Sequence, residues 1–477
     1  MSDPCPIMSD ALLPRLAALI GPSHVLTGAD AAPYGTEWTG KYRWTPRAVL
    51  RPADTAQVAA VMALASETRT PVVPVAGRTG ITGATFAEGQ LMLSLERLNR
   101  IRALNPDART ITVGAGVILS SIHDAALAQD LVFPLTFGAR GSAMIGGALS
   151  TNAGGSNVVR YGSTRGLCLG LEAVLADGRM LNLMSSTRKD NTGYDLRDLF
   201  IGSEGTLGII TAATLRLFPR PRAYATALIG MPSLAAALEL LDRLQSASGQ
   251  AVEAFEFMPA TYMARLRRHR PDLTVPLAGE HAVTILAEAA ASSDRDATPG
   301  PGGRTGVAAA TGEVLAGMLE AGLVADAAFA VSETQRRAMW AVREAAGEVT
   351  LNTHPLVDTD IAVPLDRVQD FLDRIAVALK ALDPAATDVT VAHLGDGNIH
   401  YTAYPSRDDA ALLDAIRAAV DDTAVDLGGS FSAEHGIGLS KRGSMRRLKD
   451  PVALDVMRAV KAALDPLGIL NPGKTLP

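Results

Sequence analysis

The sequence predicts an α+β protein of unequal units, and three observations carry that reading. Segments with helical apolar spacing and segments of alternating or continuous apolar residues follow one another along the 477 residues. A proline-marked stop, Phe218-Pro219-Arg220-Pro221, separates a first part from a second in which helices alternate with strands of antiparallel type. Apolar residues are 48% and charged residues 20%, a balance that buries real cores and excludes wholesale disorder. At about 150 residues per domain the length alone allows roughly three domains.

Residues 9 to 20 space Leu and Ala as a helix does, and DTAQVAAVMALASETR (54 to 69) reads as an amphipathic helix with Asp54 as its N-cap. An extended stretch from Pro71 to Val75 leads into a glycine cluster and then the strand-like LMLSL at 91 to 95. TITVGAG (110 to 116) alternates with period two, and LSSIHDAALAQD (119 to 130) returns to helical spacing. From 133 to 166 the chain is mostly Gly, Ser, Thr, Asn and Ala, side chains too small for a packed core in an order too specific for a linker. Asp177-Gly178 at the centre of LEAVLADGRMLNL (171 to 183) signals a hairpin. After GTLGIITAATLRLFPRP (205 to 221), the helix SLAAALELLDRLQ (233 to 245) alternates with the strands AVEAFEFM (251 to 258) and HAVTILAEA (281 to 289). MWAVRE (339 to 344) is read as helical, residues 292 to 306 have the composition of a mobile loop, and a helix is expected around 451 to 464. There is no internal repeat. The expected division is 1–221, then 222–430, then a C-terminal segment 431–477 that packs back on the first part.

Lys and Arg number 44 against 50 Asp and Glu, a net charge of -6 that excludes a dedicated nucleic-acid binder with a broad basic surface. Cys5 and Cys168 form no CxxC pair and no disulfide framework, so the fold holds with reduced thiols. The N-terminus lacks a basic region ahead of its short apolar stretch, and no run of about 18 apolar residues occurs. No signal peptide and no transmembrane span are expected, and the location expected is cytoplasmic, with peripheral membrane association through an electron acceptor as a variant.

PVAGRTGITGA (74 to 84) sets Gly77, Gly80 and Gly83 at three-residue intervals, a loop whose backbone N–H groups can turn toward an anion. It lacks both the Gly-Lys-Ser/Thr ending of a Walker loop and the GxGxxG order, so alone it is equally a tight turn between strands. IGGAL (145 to 149) and STNAGG (150 to 155) add a second approachable tract with Thr151 and Asn152 as hydrogen-bonding groups. Two such tracts suit an elongated dinucleotide better than one phosphate. In HLGDGNIH (393 to 400) the Gly395-Asp396-Gly397 turn lets His393 and His400 face one point, and Glu434 in SAEHG (432 to 436) adds a carboxylate. Two imidazoles and one carboxylate form the three-ligand set of an open catalytic metal site, while HxxxxxxH by itself equally describes hydrogen-bonded loop histidines.

Pro74 to Ala84, Pro134 to Gly155 and GSEGTLGIIT (202 to 211) resemble the FAD-binding domain of the vanillyl-alcohol oxidase / p-cresol methylhydroxylase flavoprotein superfamily. Within it the chain is similar to the FAD-linked D-2-hydroxy acid dehydrogenases, the branch of D-lactate dehydrogenase, D-2-hydroxyglutarate dehydrogenase and the glycolate oxidase catalytic subunit. The resemblance runs from WTGKYRWTPRAVLRPADTAQVAAVM (38 to 62) to LNPGK (470 to 474). It implies a two-part FAD-binding domain, an α+β substrate cap of antiparallel sheet and helices, and a C-terminal segment returning to the FAD domain. The backbone around Ala76, Gly77, Arg78, Thr79 and Gly80 would receive the pyrophosphate, with Pro74 also at the cofactor. Thr82, Gly83, Pro134, Gly138, Ser142, Gly146, Thr151, Asn152, Gly155, Ile210 and Asn471 would line the cofactor. Arg78 departs from the small residue usual there, either adding charge to the phosphates or pointing to solvent. The first loop has no histidine to tether flavin, so non-covalent FAD is expected.

The resemblance further implies a divalent metal on His393, His400 and Glu434, zinc first with manganese, cobalt or iron as alternatives, and His435 as the base. The metal would make a 2-hydroxy acid's hydroxyl more acidic, a neutral His435 would take its proton, and the hydride would pass to the flavin. Arg343, by sequence alone as readily a surface arginine beside Glu344, would hold the substrate carboxylate as a bidentate fork. Asn398 would orient substrate or a ligand. Members specific for 2-hydroxyglutarate carry a threonine, a lysine and an asparagine where this chain has Gly347, Asp358 and Thr402. An aspartate there repels a second carboxylate, which favours a D-lactate-like monocarboxylate over D-2-hydroxyglutarate, with a glycolate oxidase-type subunit as a further alternative. A non-catalytic flavin subunit has no need of a base, and a metallohydrolase with glycine-rich loops would be colourless. The acceptor (quinone, electron-transfer flavoprotein, cytochrome or oxygen) stays open, as does the oligomeric state, a homodimer being one option.

Overall fold

The computed structural model describes residues 11–300 and 303–477. Cys5, the first residues of the 9–20 helix, the N-terminal segment and two positions of the 292–306 loop lie outside them. The described residues divide into two compact units. The first comprises the chain up to Ala153, then Ser163–Phe218 and His435–Pro477; the second comprises Gly154–Gly162 and Pro219–Glu434.

In the first unit, Val25–Leu26 (β1), Ala48–Leu50 (β2), Val72–Val75 (β3) and Leu91–Ser94 (β4) form a sheet in the order β1-β2-β4-β3, with β4 parallel to both β2 and β3. Side chains alternate between its faces. Leu50, Val72, Leu91 and Leu93 pack under the helices Leu12–Ile20 and Thr55–Glu67, while Val49, Val73 and Met92 join Tyr34 and Trp44 on the other side. The Asp54 carboxylate accepts the Gln57 N–H at 2.9 Å, the cap its position predicts. The C-terminal tail continues this sheet: the Val72 N–H donates to the Ile469 carbonyl and the Asn471 N–H to the Val72 carbonyl, at 2.8 and 2.9 Å.

A second, antiparallel sheet joins Ile101–Asn105 (β5), Thr110–Gly114 (β6), Cys168–Val174 (β8), Met180–Leu183 (β9) and Ile209–Arg216 (β10) in the order β5-β6-β10-β8-β9; the short Leu131–Val132 (β7) and Phe218–Pro219 (β11) lie outside both sheets. Gly178 turns the β8–β9 hairpin with φ 87, in the left-handed region the Asp-Gly pair anticipates. The small-residue tract differs from its reading as unable to pack. It contains the helix Ile145–Thr151, where Gly146 lies so close to Ala115 that a Cβ would come within 2.7 Å. Small side chains pack here by bringing backbones together rather than by filling volume.

The second unit is a seven-stranded antiparallel sheet of Ala223–Met231 (β12), Val252–Pro259 (β13), Val283–Ala291 (β14), Asp326–Phe329 (β15), Val357–Ala362 (β16), Thr387–His393 (β17) and Asn398–Tyr404 (β18), in the order β15-β12-β14-β13-β17-β18-β16. Helices Leu234–Ser248, Gly306–Glu320, Val368–Leu382 and Ala410–Asp426 cover one face through Ile229, Phe257, Ile285, Ile361, Ile399 and Tyr401. Part of the other face packs on Ala260–His269, Glu333–Glu344 and Ala346–Thr350. The rest of that face is polar and carries Glu256, His393, His400 and Asp360, set there by the same alternation. Within the 292–306 stretch, Asp294–Ala297 forms one helical turn.

Candidate functional site

The three glycine-rich motifs of the first unit converge. Gly77 lies against the backbone of the second tract, where a Cβ would meet the Ser142 carbonyl oxygen at 2.5 Å and the Met144 nitrogen at 2.8 Å. Gly205 of GSEGTLG packs on the ring of Pro74, and the N–H groups of Gly202 and Glu204 donate to the carbonyls of Leu149 and Ser150 at 3.0 and 2.8 Å. Beside this junction a Cβ at Gly80, Gly138 or Gly141 would meet nothing within 4 Å, so the loops border open space. Asn471 is 2% exposed; its amide donates to the carbonyls of Ala84 and Glu204, and its Oδ1 has no hydrogen-bond partner among the described residues. An approachable backbone rim with an orphaned buried acceptor fits an extended dinucleotide.

Other expected cofactor residues are occupied locally. Arg78 has φ 56, donates to the Pro33 carbonyl at 2.5 Å and lies 4.7 Å from the centroid of the Tyr34 ring. Thr151 donates to the Gly147 carbonyl within its own helix, and the Asn152 side-chain Oδ1 accepts the Arg165 N–H at 2.9 Å. The Gly83 N–H donates to the buried Glu37 carboxylate at 2.6 Å. Ile210 is buried in β10, Ser142 is exposed, and Gly155 falls in the second unit.

Thr82 ties the first loop to the segment of His435. Its carbonyl accepts the N–H groups of Leu439 and Ser440 at 2.8 and 3.1 Å, and its hydroxyl donates to the His435 carbonyl at 3.4 Å. The Glu204 carboxylate receives the N–H groups of Ile437 and Gly438, each at 2.8 Å. Gly436 and Gly438 have φ 76 and 50, so the loop turns through conformations that favour glycine.

In the second unit the 393–400 segment is a tight hairpin. Gly397 has φ 78, and a Cβ on it would lie 2.2 Å from the Val363 carbonyl oxygen. The two imidazoles stand edge to face with centroids 5.3 Å apart, and ligand atoms of His393, His400 and Glu434 lie within 4.8 Å of one another. Two nitrogens and a carboxylate oxygen so placed fit a divalent cation. Supporting carboxylates stand behind them. His393 Nδ1 sits 2.9 Å from the Glu256 carboxylate, which turns Nε2 toward Glu434, 4.0 Å away. Asp360, 1% exposed, accepts from the Asn398 amide and the Glu434 N–H, each at 2.9 Å, and its Oδ1 is 3.9 Å from His400 Nδ1.

Arg343 is buried, not on the surface; its Nε forms an ion pair with Glu256 Oε2 at 2.7 Å, and neither Nε nor Nη2 has an aligned hydrogen-bond partner among the described residues. Burial works to raise the Glu256 carboxyl, yet the charges of His393 and Arg343 hold it down at about 2. Burial lowers His393, and the Glu256 charge outweighs it, leaving that imidazole above its ordinary value. Asn398 spends its amide on Asp360 and the Ile361 carbonyl, leaving Oδ1 without a partner among the described residues.

Two family models match, an FAD binding domain over residues 46–184 and the C-terminal domain of FAD linked oxidases over 220–475. D-2-hydroxyglutarate dehydrogenase of Bos taurus mitochondria is 38% identical over 467 residues, covering 97% of this chain and 83% of its own. The enzymes of the same name from Xanthomonas citri and Stutzerimonas stutzeri are 35% and 34% identical, covering 99% of this chain and 97% and 99% of theirs. The chain belongs to the FAD-linked D-2-hydroxy acid dehydrogenases. Among solved structures, p-cresol methylhydroxylase superposes with a TM-score of 0.71 at 16% identity over 98% of this chain and 96% of that one, and alkyldihydroxyacetonephosphate synthase with 0.72 at 16% over 99% and 86%. These distant neighbours share the vanillyl-alcohol oxidase-type fold.

As a member of this family the chain is an FAD-linked oxidoreductase acting on CH–OH groups. No helix among its described residues is long and apolar enough to cross a membrane. Sequence reasoning missed Glu204, Glu256 and Asp360. A signal was present for the last two: carboxylates inside the apolar strands AVEAFEFM and VDTDIA demand buried partners. Glu204 lay within a quoted motif but only the three-dimensional return of residues 437 and 438 gives it a role. The Gly77 junction supplies a direct check on the flavin rim. Gly77→Ala is expected to push the two tracts apart and lower the flavin-to-protein absorbance ratio of purified enzyme. Full flavin occupancy in that variant would count against this placement.

Proposed function

We propose that the enzyme oxidises a compact D-2-hydroxy monocarboxylate, D-lactate or a near analogue, to the 2-oxo acid, using non-covalent FAD and a divalent cation held by His393, His400 and Glu434. The bound flavin supplies a hydride acceptor and the cation a Lewis acid at the substrate hydroxyl. Arg343 holds the substrate carboxylate through its Nη2 edge, which has no hydrogen-bond partner among the described residues, and with the cation at the hydroxyl this orients the stereocentre. An imidazole nitrogen of His435 takes the hydroxyl proton as hydride leaves C2, so substrate loses one proton and one hydride and becomes the ketone. The observation that carries the metal reading is the convergence of the three ligand side chains within 4.8 Å.

The substrate reading rests on Asp358 and Thr402. They are directly opposed on β16 and β18, and the Thr402 hydroxyl donates to the Asp358 carboxylate at 2.9 Å. Alternation places this pair next to the Asp360–His400 pair on the same face. A carboxylate there opposes the second carboxylate of 2-hydroxyglutarate, where dedicated enzymes are expected to place a lysine. Gly347 is exposed and offers no hydroxyl in the threonine's place. The names of the bacterial and mitochondrial relatives support D-2-hydroxyglutarate as the second reading. Anaerobic flavin bleaching with D-lactate, L-lactate, glycolate and D-2-hydroxyglutarate separates them. D-lactate is expected to bleach at the lowest concentration; half-maximal bleaching by D-2-hydroxyglutarate below that of D-lactate would replace the first reading with the second.

A further inference from the structure

Glu256 touches both halves of the proposed substrate site. It stands in β13 directly opposite His393 of β17, side by side on one face of the sheet, and is fully buried. One carboxylate meets His393 Nδ1 at 2.9 Å and Arg343 Nε at 2.7 Å, and the Ser156 hydroxyl also bonds to it. We propose that Glu256 is a positioning residue shared by the metal ligand set and the substrate-carboxylate arginine, so that one buried anion sets the geometry of both.

The inference rests on the metal reading above. A carboxylate at Nδ1 accepts a hydrogen bond from Nδ1–H, so the proton stays on that nitrogen and the Nε2 lone pair faces Glu434 and His400, the tautomer a cation requires. The same carboxylate pairs by charge with the guanidinium at its Nε side, 2.7 Å away, and leaves an Nη2 edge to meet an anion. Glutamine cannot do both. With its oxygen toward His393 it presents N–H groups, and no charge, to the guanidinium; turned over, it presents them to the Nδ1–H.

The test uses the flavin-loaded enzyme with Zn²⁺ as the probe, its affinity measured by competition with a chromophoric chelator, beside steady-state kinetics. Glu256→Gln is expected to weaken Zn²⁺ by about 10–100-fold, the range typical of lost partners behind metal ligands. It should also raise KM for the hydroxy acid at saturating Zn²⁺. Glu256→Asp, which keeps the charge, should lie closer to wild type in both. The flavin spectrum and melting temperature report whether each variant folds, and the isosteric glutamine is the variant that decides. Wild-type affinity and KM in a folded Glu256→Gln enzyme would overturn the role of Glu256 alone. A wild-type enzyme that takes up no Zn²⁺ would overturn the metal reading and this inference with it.

Discussion

Replacing His435 by alanine is expected to leave flavin bound and its spectrum unchanged, while anaerobic reduction by substrate slows by about 10²–10⁴-fold, the usual contribution of a positioned base. The loop around it is held through its backbone. Thr82 binds the carbonyl of residue 435 and the N–H groups of 439 and 440, and Glu204 binds those of 437 and 438. These backbone contacts can form with any side chain at position 435, and the flavin spectrum and melting temperature report whether the loop keeps its place. Stopped-flow bleaching gives the rate, and the flavin-to-protein ratio shows that the cofactor stayed. A reduction rate within a few-fold of wild type would remove His435 from the reaction.

Stripping the divalent cation with a chelator is expected to cut turnover by orders of magnitude, and adding back Zn²⁺ or Mn²⁺ to restore it. Lewis-acid assistance is worth several kcal/mol, and at about 1.4 kcal/mol per tenfold its loss slows reduction by about 10²–10³-fold. Glu434→Gln should reproduce part of this loss and make the remaining activity sensitive to lower chelator concentrations, because the amide keeps an oxygen donor but not its charge. Undiminished activity in enzyme shown by elemental analysis to be metal-free would refute the ligand set.

Local signals were readable wherever one residue type does one job. Asp54 caps its helix, Gly178 turns its hairpin, and Gly397 occupies a bend that no side chain fits. That His393, His400 and Glu434 come together was legible because the turn between the histidines could be counted. Less legible was whatever depends on strand register. Glu256 and Asp360 gain their roles from residues 137 and 38 positions away, His393 and Asn398, brought beside them by strand pairing that no spacing reveals. The small-residue tract was misjudged for a related reason: Gly146 packs by the closeness of Ala115, and glycine leaves no apolar pattern to read.

The docking of Ile469–Asn471 on β3 has a consequence for how the enzyme is made. During synthesis β3 emerges almost four hundred residues before the tail that bonds to it, and the whole of Pro219–Glu434 is translated in between. The ribosome can therefore release a folded second unit while the first still lacks its last sheet contact, Asn471 and the His435 loop. A nascent chain stalled before residue 435 would carry His393, His400 and Glu434, the proposed cation ligands, without His435, the proposed base. Flavin capture is accordingly expected as a late event of biogenesis, completed only after the tail has closed on β3.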